Sequence, residues 1–119
     1  MSYDIELNHP VTGEVLLLDA PHHMRGGTYP VGGEPRACLN VTYNYSRHYV
    51  RAFGTEVGLR SIYGMTGAQS IPVLSRAIEA LGKDVDDDYW KPTEGNARAA
   101  LEQLRALAYM RPDGVWSGD

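Results

Sequence analysis

Apolar and polar residues alternate from the start of the chain. Tyr3, Ile5 and Leu7 are separated by Asp4 and Glu6, the period of two that marks a half-buried strand. Asn8-His9-Pro10 and Thr12-Gly13 then supply turn chemistry, because proline fixes φ and glycine accepts positive values. The short apolar run Val15 to Leu18 is expected to pair back as a second strand, with a hairpin loop longer than a tight two-residue turn. Between 20 and 36, Pro21, Gly26-Gly27, Pro30, Gly32-Gly33 and Pro35 exclude a helix. That stretch reads as a connector, or as a loop whose glycines let the backbone approach something closely.

The pattern changes near residue 40. Thr42, Tyr45, Tyr49 and Phe53 are spaced for one helix face, yet Val41, Tyr43 and Tyr45 alternate as a strand would. The first half of this segment is therefore ambiguous, and the second half is helical up to Gly54. A further helix is expected after Ser70 as N-cap, with Pro72 in its first turn, Ile71, Leu74, Ile78 and Leu81 on one face, and Gly82 as the C′ terminator. Asp84, Asp86, Asp87 and Asp88 read as a solvated turn. A last helix runs from about Thr93 to Met110, with Ala97, Leu101, Leu104 and Ala108 inward and Arg98, Glu102 and Arg105 outward, and Arg111-Pro112-Asp113-Gly114 ends it. Strands precede helices instead of alternating with them, which is the α+β pattern. The expected architecture is an N-terminal β-hairpin of two or three strands packed against three helices. It forms a single domain over 1–119, with 1–36 the hairpin and Gly/Pro-rich loop and 37–119 mainly helical.

Composition narrows the classes. A chain of 119 residues supports one core, with 43% hydrophobic and 22% charged residues, an ordinary globular balance. No apolar run approaches the roughly 20 residues that span a bilayer. Met1-Ser2-Tyr3-Asp4 lacks the basic and apolar regions of a secretory signal. The single cysteine, Cys38, excludes an internal disulfide and a Cys-based zinc finger, and suits a reducing cytoplasm. A net charge of −4 argues against general binding to DNA or RNA.

The catalytic signals are weak. His9, His22, His23 and His48 show neither H-x-x-x-H nor H-E-x-x-H spacing. Cys38 sits between Ala37 and Leu39, an apolar setting that favours an inert thiol over a reactive partner for His48. There is no G-x-S-x-G elbow, Walker loop or dinucleotide fingerprint; Gly26-Gly27-Thr28 and Gly64-Met65-Thr66-Gly67 are Gly-rich but not cleanly placed between a strand and a helix. The contiguous aspartates are too open to act as a carboxylate dyad. No catalytic residue, metal or cofactor is expected.

Aromatic usage is more informative. The chain has eight tyrosines and one phenylalanine, although a buried phenol must find a partner for its hydroxyl. Tyr43, Tyr45 and Tyr49 are interleaved with Asn40, Thr42, Asn44, Arg47, His48 and Arg51, a mixture of stacking surfaces, amides and cations suited to a nucleotide. Tyr89-Trp90-Lys91-Pro92-Thr93-Glu94-Gly95-Asn96 repeats that mixture on a loop entering a helix. The alternative is that these tyrosines bond locally and Trp90 anchors the last helix.

Four phrases carry a resemblance: Tyr3-Asp4-Ile5-Glu6-Leu7, Asn40-Val41-Thr42-Tyr43-Asn44, Ser70-Ile71-Pro72-Val73-Leu74 and Arg111-Pro112-Asp113-Gly114. In this order they resemble small proteins of phages, prophages and phage-rich metagenomes, with N-[IV]-T-[YH]-N as the distinctive phrase. The resemblance transfers no residue roles. It implies an accessory protein expressed in the cytoplasm of a bacterial host, where such proteins often act on host defence. The function expected on that basis is a non-enzymatic, homo-oligomeric sponge that sequesters a nucleotide-type immune signal. Tyr43, Tyr45, Tyr49 or Trp90 would stack; Asn40, Asn44 and Asn96 would hydrogen-bond; Arg25, Arg47, Arg51 or Lys91 would meet phosphate. Two rivals are a protein-blocking inhibitor of a defence nuclease or CRISPR effector, using Asp84 to Asp88, and a metal-dependent hydrolase using His22, His23 or His48.

Overall fold

The alternation at the N-terminus becomes a strand, and that strand is the middle one of its sheet. The computed structural model describes residues 1–25 and 33–119. Gly26-Gly27, Thr28, Pro30 and Gly32, whose glycines suggested a close approach, lie outside the described residues. Strand β1 (Ser2–Asn8) pairs antiparallel with β4 (Cys38–Thr42) on one side and β5 (Val115–Ser117) on the other. Register places Tyr3 opposite Val41, Ile5 opposite Leu39 and Leu7 opposite Trp116. All six are buried in one continuous core, so a single sheet face supplies the strand half of that core.

The expected hairpin survives only at its neck. His9 N–H donates to Glu14 O (2.7 Å), Asn8 bridges Val15, and Leu16 N–H donates to Leu7 O (2.9 Å). There the pairing stops. Strand β2 (Leu17–His22) turns away and pairs with β3 (Glu34–Arg36) in a separate ribbon. Only Leu16 of the apolar run is buried, and Leu17 is 62% exposed, so Val15 to Leu18 has no full face to offer β1. Leu39 and Val41, spaced by two, do offer one and take the place. β5 was not anticipated, because three residues carry no legible period, yet its Trp116 is fully buried and donates Nε1–H to Ser70 Oγ (2.7 Å).

Both patterns read between 40 and 53 are real, with Thr42 as the point of change. It ends β4, and its hydroxyl accepts from Asn44 N (3.2 Å) to start the 3-10 turn Tyr43–Tyr45, which runs into α1 (Ser46–Phe53). Gly54, at φ +68°, closes α1 as expected. A second 3-10 turn, Gly58–Ile62, adds Leu59 and Ile62 to the core.

Helix α2 (Gly67–Glu79) starts earlier than Ser70, which corrects the expected cap. Thr66 and Gln69 form a capping box with both bonds at 3.0 Å. Ser70 lies inside the helix, donates to Gly67 O (2.8 Å) and receives Trp116, so its polarity serves the core. Gly82 is not the terminator either: Ala80 caps α2, and Gly82 lacks a left-handed φ. Helix α3 (Glu94–Met110) begins at Thr93, whose hydroxyl accepts from Asn96 N (3.1 Å), and buries Ala97, Leu101, Leu104 and Ala108 as their spacing predicts. The result is α+β: an antiparallel β4-β1-β5 sheet with three helices. Among the described residues no helix is long and apolar enough to cross a membrane.

Candidate binding site beneath Tyr89

The tyrosine-rich segment faces inward. Residues 81–93 contain no helix or strand, and their backbone groups still need partners. The segment from Asn44 to Arg51 supplies many of them. Asn44 Nδ2 donates to Trp90 O (2.9 Å), and the Tyr45 hydroxyl donates to Tyr89 O. His48 Nε2 sits 2.7 Å from Pro92 O and, because a carbonyl only accepts, carries the proton. Arg51 pairs with Glu94 at 2.5 Å, and the Tyr49 hydroxyl donates to Ala97 O (2.9 Å). Asn96 braces the loop from below: Oδ1 accepts from Asp86 N (3.0 Å), and Nδ2 donates to Asp88 O (3.1 Å) and Lys91 O (3.0 Å).

The aspartates take part in this bracing. Asp84 Oδ1 accepts from Gly95 N (3.2 Å), Asp86 Oδ1 from Asp88 N (2.8 Å), and Asp88 Oδ1 from Trp90 N (3.2 Å). Gly95 is required there, since a Cβ would lie 2.5 Å from both Asp84 C and Val85 N.

Most of the expected ligand contacts are corrected by this arrangement. Tyr45 and Tyr49 are fully buried, and their hydroxyls are spent on Tyr89 O and Ala97 O. Asn44 and Asn96 spend their amides on the loop backbone, Arg51 pairs with Glu94, and Lys91 lies 3.5 Å from Asp86. Tyr43 packs edge-on against Tyr3 at 4.6 Å, with the Arg60 guanidinium over both rings. Asn40 is on the outer sheet face, donating to Ser2 Oγ (2.6 Å) and Asp4 Oδ1 (2.5 Å). Arg47 is exposed. Trp90 is 46% exposed with its ring 4.9 Å from that of Tyr89, and Arg25 lies 5.6 Å over the Tyr89 ring. The eleven candidates do not meet on one surface.

A subset does meet around a cavity of about 170 Å³ between the 85–89 loop and α3, where Arg25, Tyr45 and Asn96 join Asp86, Tyr89 and Gln103. Two of the lining residues each carry an atom closed to solvent, the Tyr89 hydroxyl and Gln103 Oε1, with no hydrogen-bond partner among the described residues. Burial pushes the Tyr89 phenol up to about 12 against the opposing pull of Arg25, so it is a neutral O–H donor at physiological pH. Gln103 was missed in the sequence. The available signal was its position on α3, seven residues after the buried Asn96, with Ala99 and Ala100 between them on the same row.

A larger cleft of about 410 Å³ lies on the outer sheet face, lined by Asp4, Glu6, His22, Glu34, Arg36, Cys38 and Asn40. Its polar groups are engaged with one another. Arg36 donates to both Glu34 oxygens (2.8 and 2.9 Å), which holds that carboxyl down to about 2; Asn8 Nδ2 donates to Glu6 Oε1 (3.0 Å). Burial pushes the Cys38 thiol up, against thiolate chemistry. Among the described residues no group of three or more His, Cys, Asp or Glu is placed to hold a metal ion. Compared with protein-family models, curated proteins and solved structures, the chain finds no match.

Proposed function

We propose that this protein binds a small nucleotide-type molecule without transforming it, at the cavity beneath Tyr89. The observation that carries the reading is the cavity that brings Arg25, Tyr45 and Asn96 together with Tyr89 and Gln103. Holding a ligand there asks for no base or metal. The resemblance to phage proteins makes the natural role sequestration of a host defence signal in the bacterial cytoplasm.

The cavity is smaller than the roughly 300–1,000 Å³ of pockets that enclose a whole drug-sized ligand. The remainder of a nucleotide would lie outside it, beside the lining residue Val85 (66% exposed). That exposed apolar side chain is one a second copy would cover in a homo-oligomer.

Titration calorimetry with cyclic nucleotides, cyclic ADP-ribose isomers and linear mononucleotides is the test. Expected is micromolar or tighter binding to at least one of them, weakened about tenfold by Ala99→Leu, which narrows the cavity, with the ligand recovered intact by chromatography. Binding no tighter than millimolar across the panel refutes the reading, and recovery of a cleaved product refutes its non-enzymatic part.

A further inference from the structure

We infer that the cleft on the outer sheet face holds a short organic dication, of the alkyl diamine class, with Asp4 and Glu6 as the countercharges for its two ammonium groups. This second site is separate from the cavity beneath Tyr89 and does not depend on the nucleotide reading.

Strand alternation builds the floor of the cleft. Tyr3, Ile5 and Leu7 of β1 and Leu39 and Val41 of β4 turn into the core, so Asp4, Glu6, Cys38 and Asn40 project from the opposite face. Register sets Asp4 across from Asn40 and Glu6 across from Cys38, and all four line the cleft. The β2–β3 ribbon adds His22, Glu34 and Arg36. Besides burial, the charges of Glu34, Arg36, Glu6 and Asp4 all act on the Cys38 thiol, so these groups surround one space. At about 410 Å³ that space falls in the range of small-molecule sites, roughly 300–1,000 Å³.

Charge selects the guest. Arg36 is forked onto Glu34 (2.8 and 2.9 Å), and those two cancel. His22 accepts from Met24 N at Nδ1 (3.3 Å) and faces Arg36 O with Nε2 (3.1 Å), so its ring is the neutral Nε2–H form. Asp4 and Glu6 are left unbalanced among the lining residues. Each spends one oxygen on an amide: Asp4 Oδ1 accepts from Asn40 Nδ2 (2.5 Å), and Glu6 Oε1 from Asn8 Nδ2 (3.0 Å). Neither second oxygen takes a hydrogen bond from the described residues; Asp4 is exposed, and Glu6 Oε2 stays open to solvent.

Spacing then favours two linked charges over one ion. Asp4 and Glu6 stand two positions apart on one face of β1, with Cα atoms about 7 Å apart. Among the described residues no three His, Cys, Asp or Glu are placed to hold a metal ion. A short diamine spans the two carboxylates, and half-buried Met24 and Cys38 offer apolar surface to its methylenes.

The test is titration calorimetry at low ionic strength with putrescine and with n-butylamine, a chain of the same length bearing one ammonium. Expected is about tenfold tighter binding of putrescine to wild type. Asp4→Asn or Glu6→Gln removes one countercharge and is expected to erase that difference, while its amide oxygen still accepts from Asn40 or Asn8. Putrescine is also expected to slow iodoacetamide alkylation of Cys38, the one cysteine of the chain, in step with occupancy. Equal binding of the two amines overturns the inference. So does an advantage of putrescine that survives both substitutions, or one that leaves Cys38 alkylation unchanged. Should a variant not fold, the two amines and Cys38 protection on wild type decide the matter alone.

Discussion

Three tyrosine-to-phenylalanine changes separate a phenol used by the fold from one left over. Tyr45, Tyr49 and Tyr89 lie around the same loop, but their hydroxyls have different fates. The Tyr49 hydroxyl donates to Ala97 O (2.9 Å), a carbonyl that keeps its own helical partner in α3 when the phenol is lost. Tyr49→Phe therefore costs one net hydrogen bond, about 1 kcal/mol. The Tyr45 hydroxyl donates to Tyr89 O in the loop, and no other donor to that carbonyl is present among the described residues. Tyr45→Phe strands a buried acceptor and costs about 2 kcal/mol. Tyr89→Phe removes a hydroxyl that has no partner, so without ligand it is neutral or stabilising by up to about 1 kcal/mol. In a domain of this length each kcal/mol moves Tm by about 4 °C. Urea unfolding at neutral pH, with midpoints compared at a common m-value, reads the order directly. If Tyr89→Phe destabilises as much as Tyr45→Phe, its hydroxyl has a partner inside the fold and the reasoning fails.

Gly95→Ala sets helix propensity against space. Alanine gains about 1 kcal/mol in a helix, but its Cβ would lie 2.5 Å from the Asp84–Val85 backbone, and overpacking of that kind costs about 1–3 kcal/mol. A lower Tm in calorimetry is expected; a higher one would show that residues 84–85 do not rest on α3. Burial raises the phenols of Tyr3, Tyr45, Tyr49, Tyr63 and Tyr89. Each stays protonated in the folded chain to a higher pH than in the unfolded chain, which ionises near pH 10, so stability is intact below about pH 10 and falls as pH rises from there through the folded values. Alkaline titration should show tyrosinate absorbance rising together with loss of the fold, and gradual ionisation of an intact fold would contradict this. The Glu34 carboxyl is held at about 2 by Arg36, so its contribution is present above pH 4.5 and disappears as pH falls towards 2. Glu34→Gln should cost about 0.5 kcal/mol at pH 7, as a surface pair does, and match wild type by pH 2 in denaturant titrations. A gap that persists at pH 2 would point to something other than the ion pair.

The elements with strong local signals were legible. Tyr3, Ile5 and Leu7 show their period without help, and α3 follows from Ala97, Leu101, Leu104 and Ala108. The start of α2 was misplaced because Ser70 looks like a cap. Its neighbour in space, Trp116, gives the hydroxyl a different use, and the capping box at Thr66 and Gln69 does the capping. The tyrosines were the harder case. Their abundance signalled hydroxyls in need of partners, and the partners of Tyr45 and Tyr49 are carbonyls 44 and 48 residues away.

Local periods, caps and turn residues act over a few neighbours, so the sequence by itself determined the α+β class, the face of β1, the end of α1 at Gly54 and the extent of α3. Which strand lies beside β1 depends on competition between faces far apart in the chain. Leu39, Val41 and Trp116, all buried in the shared core, take the places beside β1 that Val15 to Leu18 do not. The same holds for the site. A hydroxyl or an amide has identical chemistry wherever it stands, and only packing decides whether its partner is the chain's own backbone, as at Tyr49, or is missing, as at Tyr89 and Gln103.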